Sequence, residues 1–192
     1  MTSAKDDILG AVRAALGPAP VVPEIPRRYR PAGSLAPDVD LFAERVAEYR
    51  ATVHRVADAD LPARLASLTR GRTGVPPGFG FGGIEDRGLA VEELDSLDTV
   101  ITGCAVAIAE TGTIVLDGGE RSGRRALTLV PDHHVCVVLA SQVVANVPDA
   151  IAALDPASPI TFVSGPSATS DIELDRVEGV HGPRDLDVVI VG

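Results

Sequence analysis

Short runs of valine, isoleucine and threonine, separated by turn residues, dominate the chain from Val100 onward. Several of these runs are apolar at successive positions, which is typical of strands that are buried on both faces of a sheet. Stretches with helical spacing lie between them, at 141–154 and 170–178. The pattern predicts an α/β fold, in which a layered sheet carries helices on both faces. The predicted strands are 105–110, 113–117, 126–130, 135–140, 160–164 and 186–191.

The first 37 residues have a different composition. Ile8, Val12 and Leu16 recur at helical spacing and predict a short helix over 3–16, which Gly17 and Pro18 end. Six prolines occur between residues 18 and 37, and this composition favours extended chain over packed structure. We therefore predict an N-terminal helix and proline-rich arm over 1–37 and an α/β domain over 38–192. The arm is either a mobile tail or a segment that binds a partner.

The domain is predicted to begin with two helices and a strand. A helix near Asp40 is followed by a strand over 52–56, and Asp60 is expected to cap a second helix. The Gly/Pro-rich segment 71–88 is predicted to be a loop. The apolar residues at helical spacing are Phe42, Val46, Tyr49 and Val53 in the first helix and Leu61, Leu65 and Leu68 in the second.

Length and charge limit the classes of function. A chain of 192 residues can bury the core of one domain without a disulfide or a metal, and with 3% aromatic residues that core must be mainly aliphatic. The 27 acidic residues outnumber the 17 basic ones, and a net charge of -10 works against binding to nucleic acid or anionic membranes. Asp6 and Asp7 stand where a signal peptide would be apolar. We expect a cytoplasmic protein with no membrane insertion.

Two motifs are weaker than they look. Residues 78–83 match the G-x-G-x-x-G pattern of dinucleotide-binding loops, but Pro76 and Pro77 precede them and no helix is predicted to follow. A dinucleotide site is therefore not expected. Cys104 and Cys136 are too few for a disulfide scaffold or for an iron–sulfur cluster, and their apolar surroundings predict small buried side chains.

Glu110 ends an otherwise apolar run and precedes Thr111-Gly112, a two-residue hairpin signal. Such a turn would pair Ile108 with Val115. The alanines at 105, 107 and 109 would then form a face of small residues that another element or a ligand can approach. The Glu110 carboxylate is either a solvent-exposed cap of the turn or a desolvated functional group.

Two further segments could receive an anion. Three arginines occur within 121–125, and guanidinium groups recognise carboxylates and phosphates, although the same arginines could simply balance nearby acids on an exposed loop. The segment 164–173 follows a predicted strand and is rich in small hydroxyl residues. Its backbone N–H groups could bind an anion at the start of the predicted helix, or Ser170 and Glu173 could only cap that helix. His133 and His134 point to opposite faces of a strand, so no metal site is predicted.

Four segments of the chain resemble the lactate utilization protein C family, also called the LUD-domain family. The resemblance extends over 100–192, and residues 22–23 and 26–29 also resemble the family's N-terminal arm. The segment 75–94 departs from the family, being shorter and richer in glycine. The four segments are 103–113 (GCAVAIAETGT), 124–135 (RRALTLVPDHHV), 164–173 (SGPSATSDIE) and 178–184 (EGVHGPR).

The resemblance implies a fold similar to the NagB/RpiA/CoA transferase-like superfamily. It also implies a role in oxidising L-lactate to pyruvate beside partner proteins that carry iron–sulfur clusters, with no cofactor in this chain. In the CoA-transferase relatives a glutamate near a glycine-containing turn is the nucleophile, and Glu110 resembles it loosely. We expect a pocket for a small carboxylate between the Glu110 hairpin and the 164–170 loop. Its predicted ligand-binding residues are Thr111, Gly112, Thr113, Arg124, Ser164, Gly165, Ser167, Thr169 and His181.

Three functions are consistent with these observations. The first is a subunit without redox centres in a lactate-oxidising complex. The second is a stand-alone enzyme of the CoA-transferase or isomerase type that uses Glu110. The third is a module that binds a small carboxylate without converting it.

Overall fold

The computed structural model describes residues 3–18, 23–169, 177–178 and 181–192, and the chain divides into two units, residues 1–30 and residues 31–192. In the first unit the predicted helix is confirmed as α1 (Ala4–Leu16). Ser3 caps this helix, because its hydroxyl accepts the Asp6 N–H while the Asp6 carboxylate accepts the Ser3 N–H. All described residues of this unit are exposed. The extension of the arm to residue 37 stays a prediction.

The second unit contains helices α2 (Val39–Glu48), α3 (Leu61–Leu68), α4 (Val91–Asp95) and α5 (Val147–Ala153). None of the described helices has the length and apolar character needed to cross a membrane. The strands are β1 (Thr52–Val56), β2 (Thr73–Val75), β3 (Ile84–Glu85), β4 (Thr99–Gly103), β5 (Val106–Ile108), β6 (Thr113–Leu116), β7 (His133–Leu139), β8 (Val143–Val144), β9 (Thr161–Val163), β10 (Ala168–Thr169), β11 (Val177–Glu178) and β12 (Asp185–Val191).

A six-stranded parallel sheet forms the centre of this unit, with strands in the order β1-β12-β7-β4-β2-β3. Its central strands β12 and β7 are buried along almost their whole length. Continuous burial explains why both strands are apolar at successive positions instead of alternating. The α/β fold predicted from the sequence is confirmed.

The two faces of the parallel sheet pack into different cores. Val188 and Ile190 of β12 pack in the same core as Phe42 of α2, whereas Val189 packs in the same core as Leu65 of α3. This alternation follows from the opposite directions of successive side chains along a strand. Helices therefore cover both faces, as predicted, and both cores are mainly aliphatic.

The predicted hairpin of β5 and β6 lies outside the parallel sheet, in a second sheet with the order β8-β5-β6-β9. The register predicted for it is wrong. Ile108 pairs with Thr113 instead of Val115, so four residues, 109–112, connect the two strands instead of two. The predicted face of small residues is confirmed for Ala107 and Ala109, which pack in the core that contains Phe42 of α2, whereas Ala105 precedes β5 and is half-buried.

The predicted strand over 126–130 is wrong. The backbone N–H groups of Leu127 and Thr128 donate to the carbonyls of Arg124 and Arg125, three residues earlier, as in consecutive turns. Leu127 is fully buried against Leu94 of α4 and Thr128 is also buried, whereas Leu129 is exposed. The alternating apolar residues that predicted a strand therefore belong to consecutive turns, in which Leu127 is buried and Leu129 is exposed.

Other boundaries also differ from the predictions. The predicted helix over 141–154 begins only at Val147, because Pro148 suits the first turn of a helix and Asn146 caps it. The segment 71–88, predicted to be a loop, contains β2 and β3. Asp60 precedes α3 but makes no side-chain capping hydrogen bond. Val177–Glu178 form a strand instead of the end of a helix, and residues 170–176 of that prediction lie outside the described residues.

Candidate functional site

A cavity of about 210 Å³ lies beside the amino ends of β7 and β12, where the parallel sheet meets the end of β9. Leu186 and Phe162 supply apolar surface. Val163 and two prolines add to this apolar part, and the polar part of the wall has two histidines, one arginine and three hydroxyl groups. These polar residues are Arg125, Thr128, His134, Ser164, Ser167 and His181.

Two loops that are distant in the chain form one wall of this cavity. The Ser167 N–H donates to the Pro183 carbonyl at 2.8 Å, and the His181 N–H donates to the Ser167 hydroxyl oxygen at 2.8 Å. These bonds hold the loop after β9 against the loop before β12. The structure thus brings together Ser164, Gly165, Ser167 and His181, four of the predicted ligand-binding residues.

Gly165 is required where this wall approaches α2. Its φ is +84°, and a Cβ at this position would lie 2.6 Å from the Tyr49 carbonyl oxygen. Glycine alone adopts this backbone conformation without strain and also leaves room for the Tyr49 backbone. The loop that carries Ser164 and Ser167 is therefore fixed by close contact with the residue that follows α2.

Arg125 supplies positive charge at the cavity. Its guanidinium donates to the Thr128 carbonyl at 3.1 Å and to the Thr128 hydroxyl at 3.0 Å, and no carboxylate among the described residues pairs with it. Burial lowers the pKa of Arg125 from its usual value. An arginine held by neutral groups keeps its charge available for an anion in the cavity.

His134 contributes a neutral imidazole. It is 2% exposed, and its Nε2 lies 2.8 Å from the Thr102 hydroxyl. Burial, assisted by the nearby His133 and Arg125, lowers the pKa of His134 to about 3. Its Nδ1 forms no hydrogen bond with any residue that the structure describes. A neutral imidazole nitrogen can donate to or accept from a hydroxyl group of a bound molecule.

Glu110 lies at the hairpin turn instead of in this cavity. Glu110 is exposed and is not among the described residues that line the cavity. Its backbone N–H donates to the Ala145 carbonyl at 3.0 Å. Thr111 and Thr113 join the same turn to the cavity wall. The Thr111 and Thr113 hydroxyls are 2.7 Å apart, and Thr113 Oγ1 is 2.8 Å from Ser164 Oγ.

Gly112 and Arg124, two other predicted ligand-binding residues, are not among the described residues that line this cavity. Gly112 has a φ of +59° and packs against the backbone of Arg45 in α2, where a Cβ would lie 2.6 Å from the Arg45 carbonyl carbon. Arg124 donates twice to the buried Asp86 carboxylate, at 2.6 and 2.7 Å. Thr169 belongs to the short strand β10. The prediction that these residues bind a ligand stays a prediction.

Arg125, Thr128 and His134 line the cavity but are not among the ligand-binding residues predicted from the sequence. Arg125 is one of three clustered arginines, of which the sequence-based prediction names Arg124. Adjacent residues of a turn point in different directions, and Arg125 lies just before the segment 126–130 that was wrongly predicted to be a strand. The position of His134 could have been predicted, because it follows His133 on a buried strand and must therefore face the opposite side of the sheet.

His133 belongs to a row of hydrogen bonds across the parallel sheet. Its Nε2 lies 2.7 Å from Asp187, its Nδ1 lies 3.1 Å from the Thr99 hydroxyl, and His54 Nε2 lies 2.6 Å from Asp187. Burial raises the pKa of Asp187, but hydrogen bonds from both histidines outweigh this effect and hold it below its usual value. Within the described ranges, no three histidine, cysteine or carboxylate side chains are placed to hold a metal ion.

Comparisons with known proteins identify relatives of this chain. The model of the LUD domain matches residues 79–191. A protein of Deinococcus radiodurans named Lactate utilization protein C is 42% identical over 100% of this chain and 93% of its own length. The protein of that name from Shouchella clausii is 31% identical over 53% of this chain and 47% of its own length. In that alignment the chain spans about half of the relative.

A solved structure supports the same relationship. The crystal structure of a DUF162 family protein from Deinococcus radiodurans matches with a TM-score of 0.67 and 39% sequence identity. The match covers 80% of this chain and 96% of that protein. The similarity therefore includes both the sequence and most of the fold.

Proposed function

The chain belongs to the LUD-domain family, and we propose that it acts in lactate utilization as a subunit without a redox centre of its own. The observation that carries this proposal is the 42% identity, along the whole chain, with a protein named for lactate utilization. The match extends beyond the LUD domain into the N-terminal segment, since it covers 100% of the chain. This breadth favours a shared role over a shared fold alone.

We propose further that iron–sulfur proteins are its partners in the oxidation of L-lactate to pyruvate. Removal of two electrons from lactate needs an acceptor, and this chain has two cysteines where a cluster requires about four thiolates. Both cysteines are fully buried in the core. A hydrogen bond with Cys136 and burial raise the pKa of the Cys104 thiol well above its usual value, which disfavours the thiolate form that binds metals.

Reconstitution with the partner proteins tests this role. The change is the omission of this chain from a mixture of candidate iron–sulfur proteins from the same organism. We expect L-lactate-dependent reduction of an electron acceptor with the chain present and its loss without it, measured by the absorbance of the acceptor. Glu110→Gln tests the alternative, a stand-alone enzyme that uses Glu110 as its nucleophile, because the substitution keeps the shape of the side chain but removes the nucleophile. An activity that survives this substitution would exclude that alternative. Equal lactate oxidation with and without the chain would contradict the proposal.

The cavity supports a second, narrower function, the binding of a small carboxylate such as L-lactate or pyruvate. Arg125 supplies positive charge for the carboxylate, while His134 and Ser164 can exchange hydrogen bonds with a hydroxyl or keto group. The volume of about 210 Å³ suits a small organic acid rather than a nucleotide. In a complete complex such a site would hold the substrate or sense its concentration.

Replacement of Arg125 tests the carboxylate site. We expect Arg125→Gln to weaken the binding of L-lactate or pyruvate by roughly tenfold or more, because charge-assisted hydrogen bonds contribute about 1.5–3 kcal/mol. Calorimetric titration of the whole chain measures the affinity. Arg72→Gln is the matched control, since Arg72 is exposed and lines neither this cavity nor the one described below. Equal losses of affinity in both variants would mean that net charge, and not the cavity, attracts the anion.

A further inference from the structure

A second cavity, of about 480 Å³, lies at the opposite ends of the parallel strands from the first. It is lined by Val137 and Leu139 near the carboxyl end of β7, and by Leu65 of α3. These three residues belong to the core on the α3 face of the sheet, whereas His134 and Leu186 of the first cavity lie on the α2 face. The two cavities are therefore separated by the sheet itself.

The order of the strands predicts a binding site at the carboxyl ends of the parallel sheet. From β2 the chain continues to β3 on one side, and from β4 its next strand in the parallel sheet is β7 on the other side. The two connections leave adjacent strands in opposite directions, and a crevice opens between loops that diverge in this way. The loop after β2 contributes Phe79 and Phe81 to the second cavity. In open α/β sheets, ligands bind outside the carboxyl ends of the strands at such a point.

Arg121 places a positive charge in this crevice. Its guanidinium lies over Gly103, the last residue of β4, where a Cβ would be 2.9 Å from Arg121 Nε and 3.1 Å from Nη2. The Gly103 N–H donates to the Arg121 carbonyl at 2.8 Å and fixes the loop at this place. Arg121 has no side-chain hydrogen bond or ion pair with any described residue, although the chain carries a net charge of -10.

The rest of the lining defines the chemistry of a ligand. Phe79 and Phe81 are half-buried and offer aromatic surface to a flat apolar group. Glu120 lies in the same lining, and its negative charge repels a ligand that carries several negative charges. The pocket thus combines an apolar wall with one available cation and one carboxylate at its edge.

We infer that this second cavity is a binding site for an aromatic monocarboxylate. The guanidinium of Arg121 pairs with the carboxylate, and the ring lies against Phe79 and Phe81. The inference goes beyond the proposed role in lactate utilization, because it concerns a different cavity and a larger, apolar acid. Glycine at position 103 is explained by the same site, since any side chain there would displace Arg121.

Titration with naphthoate tests this site. Because the chain has no tryptophan, the fluorescence of the naphthalene ring can be followed directly. We expect saturable binding that Arg121→Gln weakens by roughly tenfold or more, as for the loss of a charge-assisted hydrogen bond. Gly103→Ala should also weaken binding, because its Cβ displaces the guanidinium while Arg121 itself is kept. Naphthamide, which has the same shape without the charge, should bind at least about tenfold more weakly.

Three controls make the result decisive. Arg125→Gln, in the first cavity, and Arg72→Gln, on the surface, should both keep the native affinity for naphthoate. The melting temperature of Arg121→Gln should equal that of the native chain, because Arg121 has no described partner to lose. No saturable binding, an unchanged affinity in Arg121→Gln, or equal binding of naphthamide and naphthoate would overturn the inference.

Discussion

Arg124 and Arg125 are adjacent, yet they have different roles. Arg124 pairs with the buried Asp86 and ties the turn to the loop after β3, whereas Arg125 bonds to the neutral Thr128 and lines the first cavity. The sequence could show that an arginine cluster was available for an anion. It could not show which member is used for folding, because the partner Asp86 is 38 residues away in the chain.

Gly165 stabilises the fold because it lets two segments of backbone approach each other closely. We expect Gly165→Ala to lower the free energy of unfolding by at least about 2 kcal/mol, from backbone strain at positive φ together with the contact with the Tyr49 carbonyl oxygen. Urea denaturation measures the loss. Gly33→Ala is the matched control, because its φ of +75° is similar but nothing lies within 4 Å of the added Cβ. Equal losses in the two variants would show that the contact with Tyr49 is unimportant.

At the scale of secondary structure elements, burial decides what the sequence can predict. The central strands β7 and β12 are apolar at most positions, so their pattern is distinct, and both were predicted within two residues of their bounds. The strands β2 and β3 have only three and two residues, too few for any period to appear. They were missed because their pairing with β4 and with each other, and not their composition, makes them strands.

The β5–β6 hairpin shows the same limit. The sequence predicts its two strands and the small residues Ala107 and Ala109 on one face, but it also predicts a two-residue turn at Thr111-Gly112. The connection is longer because Gly112 packs against the backbone of α2 and Glu110 bonds to Ala145 after β8. Contacts with two other elements therefore set the register, and a local sequence does not contain them. In the same way the first cavity could be predicted only in part, since two distant loops form it.

At the scale of the whole molecule, the protein depends on charges that are held by specific partners. Burial raises the pKa of Asp86, but its hydrogen bonds with Arg124 and two backbone N–H groups outweigh this and lower it, and the hydrogen bond from Arg184 lowers the pKa of Asp132. Hydrogen bonds with two histidines likewise hold the pKa of Asp187 below its usual value, against the effect of burial. A carboxyl with a lowered folded pKa stabilises the fold above its unfolded value of about 4, and this contribution is lost as the pH falls through the folded value.

His134 should make the molecule sensitive to acid at a higher pH than these carboxyls do. Its folded pKa of about 3 lies below its ordinary value of 6.5, so the unfolded chain takes up a proton that the folded chain refuses. The free energy of unfolding should therefore fall by about 2 kcal/mol between pH 6.5 and 4.5 through this residue alone. Urea denaturation at several pH values measures the slope. His134→Gln can keep a hydrogen bond to Thr102 but cannot be protonated, so its slope over this range should be flatter by that amount.

His181→Gln is the matched control for this pH dependence. It removes a histidine from the same cavity, but His181 is exposed, whereas His134 is 2% exposed. Burial separates the two positions, because a protonated imidazole at His134 would be buried beside Arg125, whereas the side chain of His181 is not enclosed. The control should therefore keep the native slope. If His134→Gln loses stability between pH 6.5 and 4.5 as steeply as the native chain, burial of a neutral histidine is not the cause of the acid sensitivity.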